Sequence, residues 1–91
     1  MGIPVIETAF LMQANGIKYY GFRNEQAASY AASMTGYLTG RPGIALAVSG
    51  PGMTNLISGM ANAMVNKWPM VAIAGAPDAS YDGKGSFQEF D

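Results

Sequence analysis

The sequence predicts an α/β fold of the doubly wound, three-layer kind, built on a parallel sheet. Two observations carry this. Helical and strand periodicities alternate along the chain, and the strand candidates are short apolar runs separated by helix-length segments. Such spacing produces βαβ units, whose crossovers are right-handed.

The first helix starts near Pro4, which suits a first helical turn, and Glu7 lies where the helix dipole favours an anion. Ile6, Ala9, Phe10 and Gln13 recur at helical spacing, and Gly16 supplies a left-handed stop. Residues 17–22 are aromatic and β-branched and read as a strand. From Asn24 to Thr39 the chain is Ala-rich and helical, until Gly40-Arg41-Pro42-Gly43 breaks it. Residues 44–49 form a continuous apolar run of the kind found in strands covered on both faces. Gly50-Pro51-Gly52 then turns the chain into a helix from Met53 to about Asn66, and residues 70–74 read as a third buried strand. Beyond Gly75 the pattern gives way to Gly, Ser, Asp and Pro. Three strands leave two open edges and little core, which reads as part of a larger domain.

In the second helix Ala27, Ala31, Met34 and Leu38 form one apolar stripe, while Ala28, Ala32 and Gly36 form another of small residues only. One stripe suits the sheet; the other admits close approach by a second backbone, from the same chain or from a partner. Met53, Met60 and Met64 share helical spacing and read as core filling.

Composition narrows the function. Ninety-one residues carry five Lys+Arg, six Asp+Glu, no Cys and no His. No basic run exists to bind nucleic acid, and neither a thiolate site nor a histidine-based zinc site or triad can form. No apolar run reaches the ~18 residues of a membrane span. Hydrophobic residues make up 49% and charged residues 12%, so some apolar surface is expected to be hidden against another body.

Three places are candidates for chemistry. The turn Ser49-Gly50-Pro51-Gly52-Met53-Thr54-Asn55 follows a strand and opens a helix, the context that attracts anions. It lacks the Gly-Lys-Ser/Thr of a phosphate loop and has Asn55 at the last glycine of the dinucleotide fingerprint, so it also reads as a plain tight turn. Glu25 stands just after a strand, where open sheets place ligands, and opens an Ala-rich helix offering little polar compensation. A carboxylate shielded there would have a raised pKa and exchange a proton near neutrality; alternatively it serves the helix dipole or pairs with Arg23. Phe87-Gln88-Glu89 lies in the polar C-terminal stretch and is otherwise an ordinary surface loop.

Phe22-Arg23-Asn24-Glu25-Gln26-Ala27-Ala28, Gly36-Tyr37-Leu38-Thr39-Gly40-Arg41-Pro42-Gly43, Val48-Ser49-Gly50-Pro51-Gly52 and Gly85-Ser86-Phe87-Gln88-Glu89 together resemble, in this order, the pyrimidine-binding domain of thiamine-diphosphate enzymes. Gly2-Ile3-Pro4-Val5, Asn62-Ala63 and Trp68-Pro69 are most similar to its 2-hydroxyacyl-CoA lyase branch, with oxalyl-CoA decarboxylase next. The resemblance covers residues 2–91. It implies that Glu25 is catalytic, hydrogen-bonding the aminopyrimidine ring nitrogen of thiamine diphosphate so that proton exchange there activates the thiazolium. It also implies cofactor contacts at Gly50, Pro51, Gly52 and Asn55, and an active-centre loop at Phe87 and Gln88. The implied substrate is an acyl-CoA or 2-oxo acid, with carbon–carbon cleavage of the kind used in fatty-acid α-oxidation. The implied assembly is a homo-oligomer, dimer or tetramer, peroxisomal or cytoplasmic; no address is visible in the sequence.

In the family the diphosphate and Mg²⁺ are held by a separate domain through a Gly-Asp-Gly…Asn stretch, which does not occur here. Residues 1–91 are therefore expected to be a partial pyrimidine-binding domain, inactive alone and prone to self-association. An acetolactate synthase-like or other decarboxylase fragment, or a non-catalytic interaction remnant, are the alternative readings.

Overall fold

A computed structural model of the chain describes residues 2–90; Met1 and Asp91, the ends of the expected 1–91 domain, lie outside them. The elements are α1 (Val5–Ala14), α2 (Glu25–Thr39), β1 (Gly43–Ala47), α3 (Pro51–Asn66), β2 (Met70–Ala74) and a single 3₁₀ turn at Ala79–Tyr81. β1 and β2 pair in parallel, Gly43 opposite Met70 through Ala47 opposite Ala74, with α3 as the crossover. The parallel α/β architecture is thus as the periodicities predict.

The expected strand at residues 17–22 does not form. Ile17, Tyr19, Tyr20 and Phe22 are exposed, and the segment runs as irregular backbone. It stands beside β1 across a cleft of about 260 Å³ that residues of both line. Strand propensity expresses itself only on a paired, half-buried surface, and here neither the ladder nor the burial is present.

The predicted stops are observed. Gly16 has φ +83° beyond α1, and the Ile17 N–H reaches back to the Met12 carbonyl at 3.0 Å. Gly40, at φ +69°, ends α2. The face of α1 differs from expectation: Val5 and Ala9 are buried, whereas Ile6 and Phe10 are exposed. The start of α1 packs at the end of the sheet, where a side chain at Gly75, just past β2, would strike Pro4 and Val5.

Helices α2 and α3 both lie on the sheet face that carries Gly43, Ala45 and Ala47, and the core is Ala32, Ala45, Ala47 and Leu56 with Met53, Met60, Met70 and Ala72 around it. Residues 44–49 are consequently not covered on both faces. Ile44 and Leu46 project to the other face opposite Val71 and Ile73, and Ile44 is 61% exposed. The chain itself supplies the sheet and one helical layer of the expected three.

The small-residue stripe of α2 turns inward, while Met34 and Leu38 are exposed. Ser29, Ala32, Ser33 and Gly36 are the buried residues of α2. The backbone that approaches this stripe belongs to the same chain: a Cβ on Gly36 would lie 1.9 Å from the Pro69 carbonyl oxygen, and one on Gly43 of β1 1.9 Å from the Ala32 carbonyl oxygen. Helix α3 approaches beside the stripe, where a Cβ on Gly59 would lie 2.0 Å from Ser29 Oγ. Two buried hydroxyls are tolerable at this contact because each is satisfied within its own helix. Ser29 donates to the Gln26 carbonyl at 2.7 Å and Ser33 to the Tyr30 carbonyl at 2.8 Å. Of the three aligned methionines, Met53 and Met60 fill the core, but Met64 is exposed on the outer face of α3.

Candidate functional site

The site lies where α2 and α3 begin, at the carboxyl end of β1. Asn24 caps α2 from an extended conformation, its side-chain oxygen accepting the Gln26 N–H at 2.8 Å. That cap makes Glu25 the first helical residue. Its side chain is half-buried and joins Phe22, Ala28, Ala31 and Val48 in lining the apolar cleft beside β1. Shielding by the Ala-rich helix is partial, since Ala27 is exposed and Ala28 half-buried.

The partner of the Glu25 carboxylate is not the neighbouring guanidinium. Asn55 Nδ2 donates to Glu25 Oε2 at 3.1 Å, across thirty residues of sequence, while Arg23 is exposed. A neutral amide fixes one oxygen without supplying a counter-charge.

The turn from Ser49 into α3 is tightly built. Gly50 has φ +60° and ψ −115°, and a Cβ there would stand 2.3 Å from the Gln88 carbonyl oxygen. Only glycine combines that backbone with that approach. Gly52 is similarly confined by Val48, at 2.7 Å from its own would-be Cβ. The structure thus joins two pairs of sequence-predicted site residues: Glu25 with Asn55, and Gly50 with Gln88. It leaves Pro51 exposed on the first turn of α3, and Phe87 is 86% exposed. Asn55, expected to touch cofactor, is directed to Glu25 and is not among the residues lining the cleft.

Gln88 takes a left-handed backbone, φ +59°, in a loop clamped by Glu89. The Glu89 carboxylate accepts the Ser86 N–H at 2.8 Å and the Ser86 hydroxyl at 3.3 Å, and also accepts the Gly83 N–H. The Ser86 backbone N–H, then that of Gly83, holds the Glu89 carboxyl below the ordinary glutamate value. Sequence reasoning missed this clamp. The available signal was an acid three residues after Ser86 in a tract rich in Gly, where free N–H groups await an acceptor.

Known proteins are similar to this chain in sequence. Residues 1–91 match the family model described as thiamine pyrophosphate enzyme, N-terminal TPP binding domain. The chain is 57% identical over 90 residues to 2-hydroxyacyl-CoA lyase 1 of Mus musculus, covering 99% of this chain and 16% of that protein. It is 54% identical over 91 residues to 2-hydroxyacyl-CoA lyase of Arabidopsis thaliana, again 16% of the relative. Oxalyl-CoA decarboxylase of Escherichia coli (strain K12) is 47% identical over 93 residues, covering the whole of this chain and 16% of its own length. With a glutamate at the mouth of an apolar cleft and the family model matched from end to end, the chain belongs to the thiamine pyrophosphate enzymes as an N-terminal TPP-binding domain.

Proposed function

We propose that the chain works as the pyrimidine-binding part of a thiamine-diphosphate-dependent carbon–carbon lyase acting on an acyl-CoA of the 2-hydroxyacyl class. The carrying observation is the half-buried Glu25 carboxylate at an apolar cleft, tethered through one oxygen by Asn55. An aminopyrimidine presents apolar ring faces and a polar edge, so the cleft suits the faces and Glu25 the edge. When bound, the cofactor supplies a carbon nucleophile and an electron sink. Glu25 exchanges one proton with a ring nitrogen at that edge, the role of a positioned general acid–base. Phe22, Ala28 and Val48 line the cleft beside it with apolar surface. Gly50 keeps the Gln88 loop seated against the start of α3.

The residues fit only this half of the cofactor. Lys18 is the cation lining the cleft, and among the described residues no group of three or more His, Cys, Asp or Glu side chains is placed to hold a metal ion. On the resemblance to the family, the diphosphate and Mg²⁺ are assigned to a second domain, and residues 1–91 to a pyrimidine-binding unit inactive alone. Phe87 and Gln88 are assigned to the active-centre loop, and the assembly to a homo-oligomer. The relatives named for 2-hydroxyacyl-CoA and oxalyl-CoA support the acyl-CoA class.

The test is Glu25→Gln in the complete enzyme that carries this domain. Glutamine keeps the size of the side chain but cannot exchange the proton. A fall in kcat of about 10²- to 10⁴-fold is expected, the range of a general acid–base. Near-normal turnover would overturn the reading.

A further inference from the structure

We infer that Asn55 is a positioning residue for Glu25: it holds Oε2 so that Oε1 is left for proton exchange. This inference rests on the role proposed for Glu25. Asn55 does not line the cleft, so its effect passes through the carboxylate it binds.

The geometry behind the pair is the register of two helices. Ser29 meets Gly59, and Asn62 Nδ2 donates to Ser33 Oγ at 3.5 Å. Glu25–Asn55 stands one helical turn before Ser29–Gly59, and Ser33–Asn62 about one turn after it. The three contacts are successive rungs between α2 and α3. The two inner rungs are buried at Ser29, Ser33 and Gly59 and fix the register. The outer rung sets the carboxylate. Helix dipoles favour an acid at the start of α2 but do not orient it. A hydrogen bond from a side chain on a second rigid helix does, by removing rotation of the carboxyl group.

An amide suits this task better than a cation. Arginine in its place would neutralise the acid and oppose proton uptake, whereas asparagine donates without charge.

The experiment compares Asn55→Asp, Asn55→Ala and Asn55→Gln with Glu25→Gln in the complete enzyme. Three quantities are read: kcat and substrate KM, thiamine diphosphate affinity by calorimetry, and the infrared band of the ¹³C-labelled Glu25 carboxylate, assigned by its loss in Glu25→Gln. Alanine removes the donor without adding charge, and aspartate removes it while keeping the shape of Asn55 and setting a second carboxylate against Glu25. Asn55→Asp is expected to lower kcat about ten-fold or more, the scale on which outer partners that orient metal ligands act. Substrate KM should stay nearly constant, the carboxylate band should move, and Asn55→Gln should recover most of the rate. Should Asn55→Asp fold poorly, Asn55→Ala carries the same comparison.

An unmoved band, or kcat within about two-fold of the parent in both donorless variants, overturns the inference while Glu25→Gln remains inactive. Rate loss with an unmoved band makes Asn55 merely structural and also overturns it. An active Glu25→Gln instead removes the reading of Glu25 itself.

Discussion

Glu25 and Glu89 are two of six acidic residues, and the chain uses their oxygens differently. Glu25 has one oxygen tied to a neutral amide on another helix, whereas both oxygens of Glu89 accept backbone N–H groups of its own loop. Because those N–H groups favour the charged form, the folded Glu89 titrates lower than the unfolded one. Its stabilising contribution is therefore present above the unfolded glutamate value and is lost as pH falls through the folded one. Asp78 behaves alike, lowered by the Ser80 N–H and hydroxyl. Hydrogen exchange should show residues 83–89 losing protection on acidification ahead of α2 and α3, and Glu89→Gln should show that loss already at neutral pH. Equal protection of the loop in both proteins at neutral pH would contradict the clamp. The sequence marked Glu25 by its place after an expected strand, but gave no sign of Asn55 as its partner. Thirty residues separate the two, and only the α2–α3 register closes that distance.

Among the elements, α2 and α3 depend most on individual residues. Their contact is closest between the small side chains Ser29 and Gly59, where backbone proximity replaces interlocking bulk, and Gly59 has no room for a methyl group. Its added carbon would meet Ser29 Oγ at 2.0 Å, Ser29 Cβ at 2.4 Å and the Ser29 carbonyl carbon at 2.6 Å, of which the last belongs to backbone that cannot rotate away. Gly59→Ala is expected to cost about 1–3 kcal/mol through overpacking. A lowered thermal midpoint would report it, with Ser58→Ala on the exposed face as a near-neutral control. An unchanged midpoint would mean that the two helices separate freely. The helices, the glycine stops of the first two and the strand at Met70–Ala74 were legible because each follows from local periodicity and punctuation. Residues 17–22 carry the same local signal, yet a strand needs a neighbour at hydrogen-bonding distance, and they stand across a cleft from β1.

For the molecule as a whole, the decisive feature is apolar surface left open. Ile44, Val71 and Ile73 are exposed on the uncovered sheet face, with Ile57, Met64 and Val65 on the outside of α3. The radius of gyration is 13.5 Å, against about 12 Å for a compact chain of this length. A two-stranded sheet with one bare face and two free edges is expected to be covered by something else. The 91 residues expressed alone should therefore self-associate, and light scattering should give masses above the monomer. A clean monomer with a cooperative melt would refute this. No described helix is long and apolar enough to cross a membrane.

The amino-acid sequence by itself determined the alternation of helix and strand, the glycine stops and the placing of Glu25 at a helix start, because these depend on backbone preference and on side chains a few residues apart. Tertiary structure decided which stripe of α2 is buried, which face of the sheet is bare and which donor meets the Glu25 carboxylate. Those outcomes depend on how close two elements approach, and that distance is set by contacts between residues far apart along the chain.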